Sequence, residues 1–455
     1  MDKKAVIETE RKSLRFLYFM ICAFSLWGVQ IGKVNLTFFL VSLVVFKILI
    51  FEKNILNFSK NFIIIVLFET AAVCYMLLSA IINSRMAFFN IEDFLFSFAE
   101  MVFIFFTANV LIFKFGKDKL EPSDLSTVSL NIAFYICMLL FVQYVVYHTT
   151  RYPLLIGDKE FVVTYGSPRF SGIFTEPAHY AFFQLYLLSI ACLTKDIGNR
   201  KKCFEKIKKI SVILSILLAQ SLSGYILLTV FIITIILSRL DLYSKIIVWV
   251  LSLLGGILFM IYYIDISKML IQSNIGTLKR IGTVMIIWDS SDGSAVYRFF
   301  NLCERVKMCF VKYNFFGTGL GNDVQWLKTL GFQTKKFIHV DGLYTSEAVS
   351  YLFICFGVIG GFLMLAGLGY MLFSSKKRNT NINLLISIYC FSLIFQGYVL
   401  FPFNAFILAV VLYFAFIYEN ETNGQNYRQR CQIKDGRVGK KKNKRNEQLG
   451  IAKTD

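Results

Sequence analysis

The stretch from 165 to 180 gathers ionisable side chains that could carry chemistry. It places Arg169, Glu176 and His179 within eleven residues, and Pro177 is well placed to begin a helix. The apolar neighbours of the glutamate are Ile173, Phe174 and Phe182. These neighbours indicate that Glu176 lies near lipid depth. Because an ionisable group there is costly unless it is paired, we expect Glu176 to have a partner. Arg169 could alternatively be no more than an anchor at the membrane surface.

A second candidate stretch lies within the segment 265–346. Apolar residues recur there at 296, 299, 300, 303, 306, 310 and 311, the spacing of one helical face, and Ser294 could cap the helix. Another face carries Arg298, Asn301, Arg305 and Lys312. The pattern predicts an amphipathic helix on the membrane surface that presents basic side chains to a headgroup or a substrate. A solvated charged face without a ligand is the alternative.

Three alternating glycines follow, in the sequence Gly317-Thr-Gly319-Leu-Gly321. Such glycines allow a tight turn or a close approach of the backbone to a phosphate. No Lys-Ser/Thr pair follows them and no βαβ unit surrounds them. They therefore match neither a P-loop nor a dinucleotide-binding fingerprint.

The chain has only three histidines, His148, His179 and His339. All three are predicted to lie on one side of the membrane, outside its apolar core. A lone histidine is usually structural. Three histidines on one side, close to loop arginines, favour the interpretation that one of them acts as a general base. None of them lies with carboxylates at metal-ligand spacing. The pattern supports no metal site, and we predict no cofactor.

The composition indicates what must position these residues. Of the 455 residues 56% are hydrophobic and 17% charged, and the mean hydropathy is +0.61. Soluble domains carry roughly a quarter charged residues and less apolar surface. With 48 Phe and only 5 Pro, the chain suits long uninterrupted helices. These values predict a multi-span membrane protein and exclude a soluble enzyme, a secreted disulfide scaffold and a porin-type barrel.

Runs of about 20 apolar residues predict the membrane-spanning helices. They lie at 14–31, 34–51, 62–82, 94–115, 125–147, 178–194, 210–238, 246–264, 347–373 and 382–418, the last split by Pro402. Basic clusters mark cytoplasmic ends, and they alternate correctly only if 210–238 crosses twice, hinged at Ser223-Gly224. One long tilted helix is the alternative there.

The predicted fold class is therefore all-α, a polytopic integral membrane protein with about twelve transmembrane helices. Both termini are expected in the cytoplasm, with two larger extracytoplasmic loops, 148–177 and 265–346. Residues 1–418 would form one transmembrane domain and 419–455 a basic, disordered tail. The net charge of +19 is then explained by topology and anionic lipids, without nucleic acid. Cys303 and Cys309 share the large loop, which is a weak indication of a disulfide.

Taken together, in this order and topology, these stretches resemble the Wzy-type polymerases of O-antigen and capsular repeat units. The resemblance covers about 165 to 375 and the span count, and it includes the glycines of the last loop and span. The residues that carry it are Arg169, Ser171-Gly172, Glu176-Pro177, Arg298, the glycines of 317–321, His339, Gly357 and Gly360-Gly361. In that family the histidine is commonly followed by Asn, whereas Val340 follows it here.

The resemblance implies a GT-C-like glycosyltransferase of the bacterial inner membrane that uses an undecaprenyl-diphosphate-linked oligosaccharide as its donor. It implies that Arg169, Arg298 and Arg305 bind the diphosphate. Glu176 or His339 would accept the proton of the acceptor hydroxyl. The partners implied are the lipid-linked oligosaccharide, membrane lipids, a chain-length regulator and a flippase.

Three other functions are compatible with the same pattern. One is a non-catalytic membrane scaffold, in which the loop arginines would tolerate substitution. An O-antigen ligase would share the topology and the arginine and histidine chemistry. A flippase or other transporter of lipid-linked sugars would usually show two related halves and polar groups at mid-bilayer. No such halves are visible here, although Glu69 and Glu100 lie inside predicted spans.

Overall fold

The computed structural model of the chain describes residues 3–26, 30–31, 34–51, 60–154, 163–164, 167–174, 176–193, 199–239, 262, 264–273, 278–279, 282–283, 305–330, 348–373, 380–395, 400 and 402–418. Several predicted features lie outside these residues. They are Arg298, His339, the start of the amphipathic helix at 296–304, most of the span 246–264 and the tail 419–455.

The described residues are predominantly helical. The helices are α1 (Lys3–Ser25), α2 (Leu36–Phe51), α3 (Lys60–Asn83), α4 (Ile91–Lys117), α5 (Pro122–Thr150), α6 (Pro177–Ala191), α7 (Asn199–Leu218), α8 (Leu222–Arg239), α9 (Asp323–Thr329), α10 (Ala348–Phe373), α11 (Thr380–Phe395) and α12 (Phe403–Leu412), which continues as a π-helix over Tyr413–Tyr418. Two antiparallel hairpins join two-residue strands: β1 (Gln30–Ile31) with β2 (Val34–Asn35), and β3 (Val163–Thr164) with β4 (Ser167–Pro168).

Four helices of the described residues contain stretches long and apolar enough to cross a membrane. These stretches are Phe62–Asn83, Ile91–Lys117, Pro122–Thr150 and Ala348–Gly367. Shorter apolar stretches are Ser13–Ser25, Leu36–Ile50, Leu222–Leu237, Ile382–Leu393 and Phe403–Leu412. The prediction of a helical protein is confirmed, and these apolar helices are consistent with a membrane protein. The twelve spans and the cytoplasmic termini stay predictions.

Local sequence accounts for where α4 and α5 begin and end. Asn90 caps α4 by accepting a hydrogen bond from the backbone N–H of Glu92 at 2.9 Å. Lys114 and Lys117 occupy the last turn of α4, where basic side chains complement the helix dipole. Pro122 begins α5, a position where its missing N–H costs nothing. These signals are local, and the predicted helices are therefore found close to where the sequence puts them.

The segment 210–238 contains two helices, as predicted, but the predicted hinge is wrong. The break between α7 and α8 lies at 219–221, where Gln220 has φ +53°, ahead of Ser223-Gly224. Gly224 lies inside α8, and a Cβ there would come 2.5 Å from the Cβ of Ala181 in α6. Gly224 therefore serves the close packing of two helices.

Helix α6 lies at the centre of the packing. Every residue from Pro177 to Ala191 is buried, and the helix contacts α5, α7, α8 and α11. A helix that is apolar on all sides is expected to be enclosed by others. Two of its tyrosines are paired with neighbouring helices: the Tyr180 hydroxyl donates to Ser215 Oγ at 2.7 Å, and the Tyr186 hydroxyl is hydrogen-bonded to Ser392. The first candidate stretch, 165–180, ends in the first turn of this helix, so the core holds that end of it.

Helix α10 is interrupted inside its membrane-spanning stretch. Gly357 has φ +73° and ψ −176°, a backbone conformation that favours glycine. A break in a spanning helix frees N–H and C=O groups that lipid cannot satisfy, so protein or a wet cavity must do so. The groups that satisfy them belong to the glycine-containing segment 314–319 and are part of the site described next.

Candidate functional site

Gln143 of α5 holds the turn that carries Arg169. Its side-chain amide donates to the carbonyl oxygens of Gly172 at 3.1 Å and Leu154 at 3.0 Å. Its Oε1 accepts from the Gly172 N–H at 3.0 Å. Gly172 has φ +60°, and a Cβ there would come 3.2 Å from the Tyr180 ring, so the turn requires glycine. Two hydrogen bonds from one buried side chain thus fix the backbone at Gly172, just after Arg169, and a third ties the same side chain to Leu154.

Glu176 is the N-cap residue of α6, with an extended backbone and an exposed side chain. Its apolar neighbours Phe174 and Phe182 are buried, and its position near lipid depth stays a prediction. His179 lies three residues later, buried in the first turn of α6 and on the same side of the helix. A carboxylate is favoured at a helix N-terminus by the helix dipole. The turn therefore carries a half-buried Arg169 and an exposed Glu176.

Aromatic rings border this turn on the α5 side. The Phe170 ring lies edge-on to Tyr144 at 5.5 Å and to Tyr147 at 5.9 Å, measured between ring centroids. The exposed His148 ring lies 4.3 Å from the Tyr144 ring. Tyrosine presents an apolar face together with a polar hydroxyl. This border suits a ligand that has both apolar and hydroxyl-bearing surfaces.

The alternating glycines contact α10, and three backbone N–H groups of their loop donate hydrogen bonds to that helix. The backbone hydrogen bonds that join the two segments are Thr318 N–H to Ile354 O (2.9 Å), Gly319 N–H to Cys355 O (3.2 Å), Val358 N–H to Asn314 O (2.9 Å) and Ile359 N–H to Phe315 O (3.2 Å). The Gly321 N–H donates to the Tyr351 hydroxyl at 3.2 Å. The close backbone approach that glycine permits is therefore present, but its partner is the broken helix α10 instead of a phosphate.

Asparagines join the same loop to the adjoining ends of α3 and α4. Asn83, the last residue of α3, donates to the carbonyl oxygen of Gly317 at 2.6 Å. The side-chain oxygen of Asn322 accepts from the backbone N–H of Asn90 at 2.6 Å. The loop thus joins α3, α4 and α10.

The helical segment 305–311 turns Arg305 inward, although the sequence assigned this residue to an exposed basic face. Arg305 and Cys309, one turn apart, are both 0% exposed, whereas Phe310 is 43% and Val311 is 54% exposed. The prediction is wrong for Arg305, whereas Lys312 of the same predicted face is exposed. A small apolar core between this segment, α9 and α10 lies on the inward side. Lipid accepts an exposed apolar side chain as readily as a protein core does. Arg305 is therefore an enclosed cation within the fold.

Cys309 provides a direct test of this orientation. Its sulfur is a free thiol, so the suggested disulfide between Cys303 and Cys309 is wrong. Burial raises the pKa of this thiol to about 12. At pH 8 only about one molecule in 10⁴ would then carry the reactive thiolate. We expect a maleimide to label the exposed Cys203 in the native protein and to label Cys309 only after denaturation. Peptide mass spectrometry checks this, and equal labelling of the two in the native protein would contradict the burial.

Gln143, Asn83 and Asn322 organise the two loops but were not predicted as site residues. The signal for the first two was available, because each is an amide side chain within or ending an apolar helix, where it must find a partner. Asn322 follows the third glycine and gave no comparable signal. All three act on backbone groups, which pattern reading does not reveal.

Among the residues that the structure describes, no group of three or more His, Cys, Asp or Glu side chains is placed to hold a metal ion. Comparison of the chain with protein-family models, curated protein sequences and solved structures finds no match.

Proposed function

We propose that this protein is a polymerase that joins undecaprenyl-diphosphate-linked oligosaccharide repeat units on the extracytoplasmic side of the bacterial inner membrane. In each step the bond between the donor sugar and its diphosphate breaks, and a glycosidic bond forms to a hydroxyl of the acceptor repeat. The hydroxyl proton passes to a base of the protein, and undecaprenyl diphosphate leaves. The product is O-antigen or capsular polysaccharide.

The observation that carries the proposal is the turn that joins Arg169 to Glu176. It places a guanidinium and a carboxylate seven residues apart, held by Gln143 at one end and by the core helix α6 at the other. A guanidinium binds diphosphate oxygens through paired hydrogen bonds and keeps its charge at every physiological pH. A carboxylate within reach of the acceptor hydroxyl can act as the base. Such positioned charges commonly supply a large share of catalysis.

The membrane setting supports the same assignment. A lipid-linked diphosphate lies at headgroup level, and a protein that acts on it must present charges beside apolar helices. In the predicted topology α6 runs inward from the extracytoplasmic side, so its N-terminal turn would lie at that level. The aromatic border formed by Phe170, Tyr144 and Tyr147 offers ring faces and hydroxyls to the sugars of the repeat unit.

The remaining predicted site residues enter the proposal in different ways. Arg298 is assigned to the diphosphate and His339 is the second candidate base, both on the resemblance stated above. Arg305 is also assigned to the diphosphate. Because Arg305 is completely buried, Arg169 would be the first of these arginines that a ligand arriving from the surface contacts. A chain-length regulator and a flippase are the protein partners proposed, with both termini of the chain in the cytoplasm.

A gel of surface glycan from a deletion strain, beside its complemented parent, tests the function. Loss of the ladder with a single repeat still attached to the surface acceptor is the expected result. Polymer that accumulates on the lipid carrier with none at the surface would instead identify a ligase. Repeat units trapped on the cytoplasmic face would identify a flippase.

A further inference from the structure

Glu69 is an ionisable residue inside the membrane-spanning stretch of α3. Its neighbours Leu67 and Phe68 are 62% and 63% exposed on the outer surface of the helix, whereas Glu69 is only 7% exposed. The carboxyl group therefore points towards the packed side of α3, where α4 lies. An ionisable group in this setting is expensive and by default indicates a specific role and a partner.

The partner is Asn109 of α4. Its side-chain amide Nδ2 donates a hydrogen bond to Glu69 Oε2. The two remaining oxygens, Glu69 Oε1 and Asn109 Oδ1, are both buried and receive no hydrogen bond from the residues that the structure describes. Both atoms would be acceptors if the carboxyl group were ionised, so nothing would satisfy either of them.

We propose that Glu69 and Asn109 form a proton-binding site within the membrane, in which the proton lies on Glu69 Oε1 and is donated to Asn109 Oδ1. One hydrogen bond in each direction closes a carboxylic acid–amide ring and satisfies both orphaned oxygens. The proton also removes a net charge that apolar surroundings would penalise heavily. A single hydrogen atom thus resolves both energetic costs.

The proton-binding site bridges the two helices that hold the glycine loop. Asn83 at the end of α3 donates to Gly317, and Asn90 at the start of α4 donates to Asn322. Glu69 lies 14 residues before Asn83, and Asn109 lies 19 residues after Asn90, so the ring lies well away from that loop along both helices. It would fix α3 against α4 inside the bilayer and so preserve the spacing of the two asparagines. This inference is independent of the proposed polymerase activity.

Infrared spectroscopy of the purified full-length protein in lipid nanodiscs at pH 7 tests the proposal. We expect the wild-type spectrum minus that of Glu69→Gln to show one carboxylic-acid C=O band. The variant should fold, because an amide–amide ring has the same shape. The exposed Glu92→Gln is the matched control and should change only carboxylate absorption. A Glu69→Gln difference confined to carboxylate bands would overturn the proposal.

A second variant tests the partner. In Asn109→Leu the acid band should persist but shift to the higher frequency of a C=O without a hydrogen bond. An unmoved band would show that Asn109 is not the partner. Spectra in sodium-containing and sodium-free buffer should be identical. If Glu69 were a carboxylate in the presence of sodium and an acid only without it, the site would bind a cation instead of a proton. That result would overturn the assignment.

Discussion

Replacing Gly357 by alanine is expected to leave little or no folded protein. Gly357 has φ +73°, and a Cβ there would overlap the amide nitrogen of Gly317 and the carbonyl of Phe315. Alanine also favours a continuous helix, in which α10 would close its break and displace the loop. The strained backbone and the lost hydrogen bonds together should cost about 4 kcal/mol or more, a large fraction of a typical domain's stability. The yield of monodisperse protein and its unfolding temperature measure the effect.

Gly367→Ala is the matched control within the same helix. A Cβ at Gly367 would meet only the Phe68 ring end at 3.9 Å, an ordinary contact. This variant should match the wild type in yield or slightly exceed its stability, because alanine is the better helix former. If Gly357→Ala behaved like Gly367→Ala, the insertion of the glycine loop into α10 would be contradicted.

Replacing Arg169 by alanine is expected to lower the rate of repeat-unit joining by about 10²–10³-fold, the usual effect of removing one charge-stabilising group. The rate is measured with purified protein and lipid-linked repeat units. Arg169→Lys should recover part of the rate, because lysine keeps the charge but loses the paired hydrogen bonds. The unfolding temperature of each variant separates a loss of chemistry from a loss of fold.

Arg85→Ala is the control for the arginine effect. Arg85 is exposed in the turn between α3 and α4, on the same predicted side of the membrane. Its loss removes one positive charge without touching the turn before α6, and the rate should stay within about twofold of the wild type. An equal loss of rate in both variants would indicate a general effect of surface charge and would remove Arg169 from the proposed site.

The positions of most helices could be predicted from the sequence because their signals are local. A continuous apolar run, Asn90 as a cap and Pro122 at a first turn each act within a few residues. The break in α10 could not be predicted, since the conformation of Gly357 depends on a segment about forty residues earlier in the chain. The hinge before α8 was misplaced for a similar reason: Gly224 is required by contact with α6, not by a turn.

The candidate site was predictable in composition but not in orientation. Arg169 and Glu176 flank one turn as their spacing indicated, and the glutamate is the exposed N-cap residue of α6. Arg305 was assigned to an exposed basic face and is enclosed, because apolar side chains can face lipid while polar ones turn inward. Helical periodicity identifies two faces, but in a membrane protein it does not determine which of them is outside.

The most direct test of the proposed function is chain growth by the purified protein. Nanodiscs containing the protein would be supplied with one lipid-diphosphate-linked repeat unit, and the lipid-linked products separated by mass spectrometry. The account predicts a series of chains that differ by one repeat, with one undecaprenyl diphosphate released for each new linkage. Repeat units that stay single, or that are transferred only to a lipid A core acceptor, would contradict it.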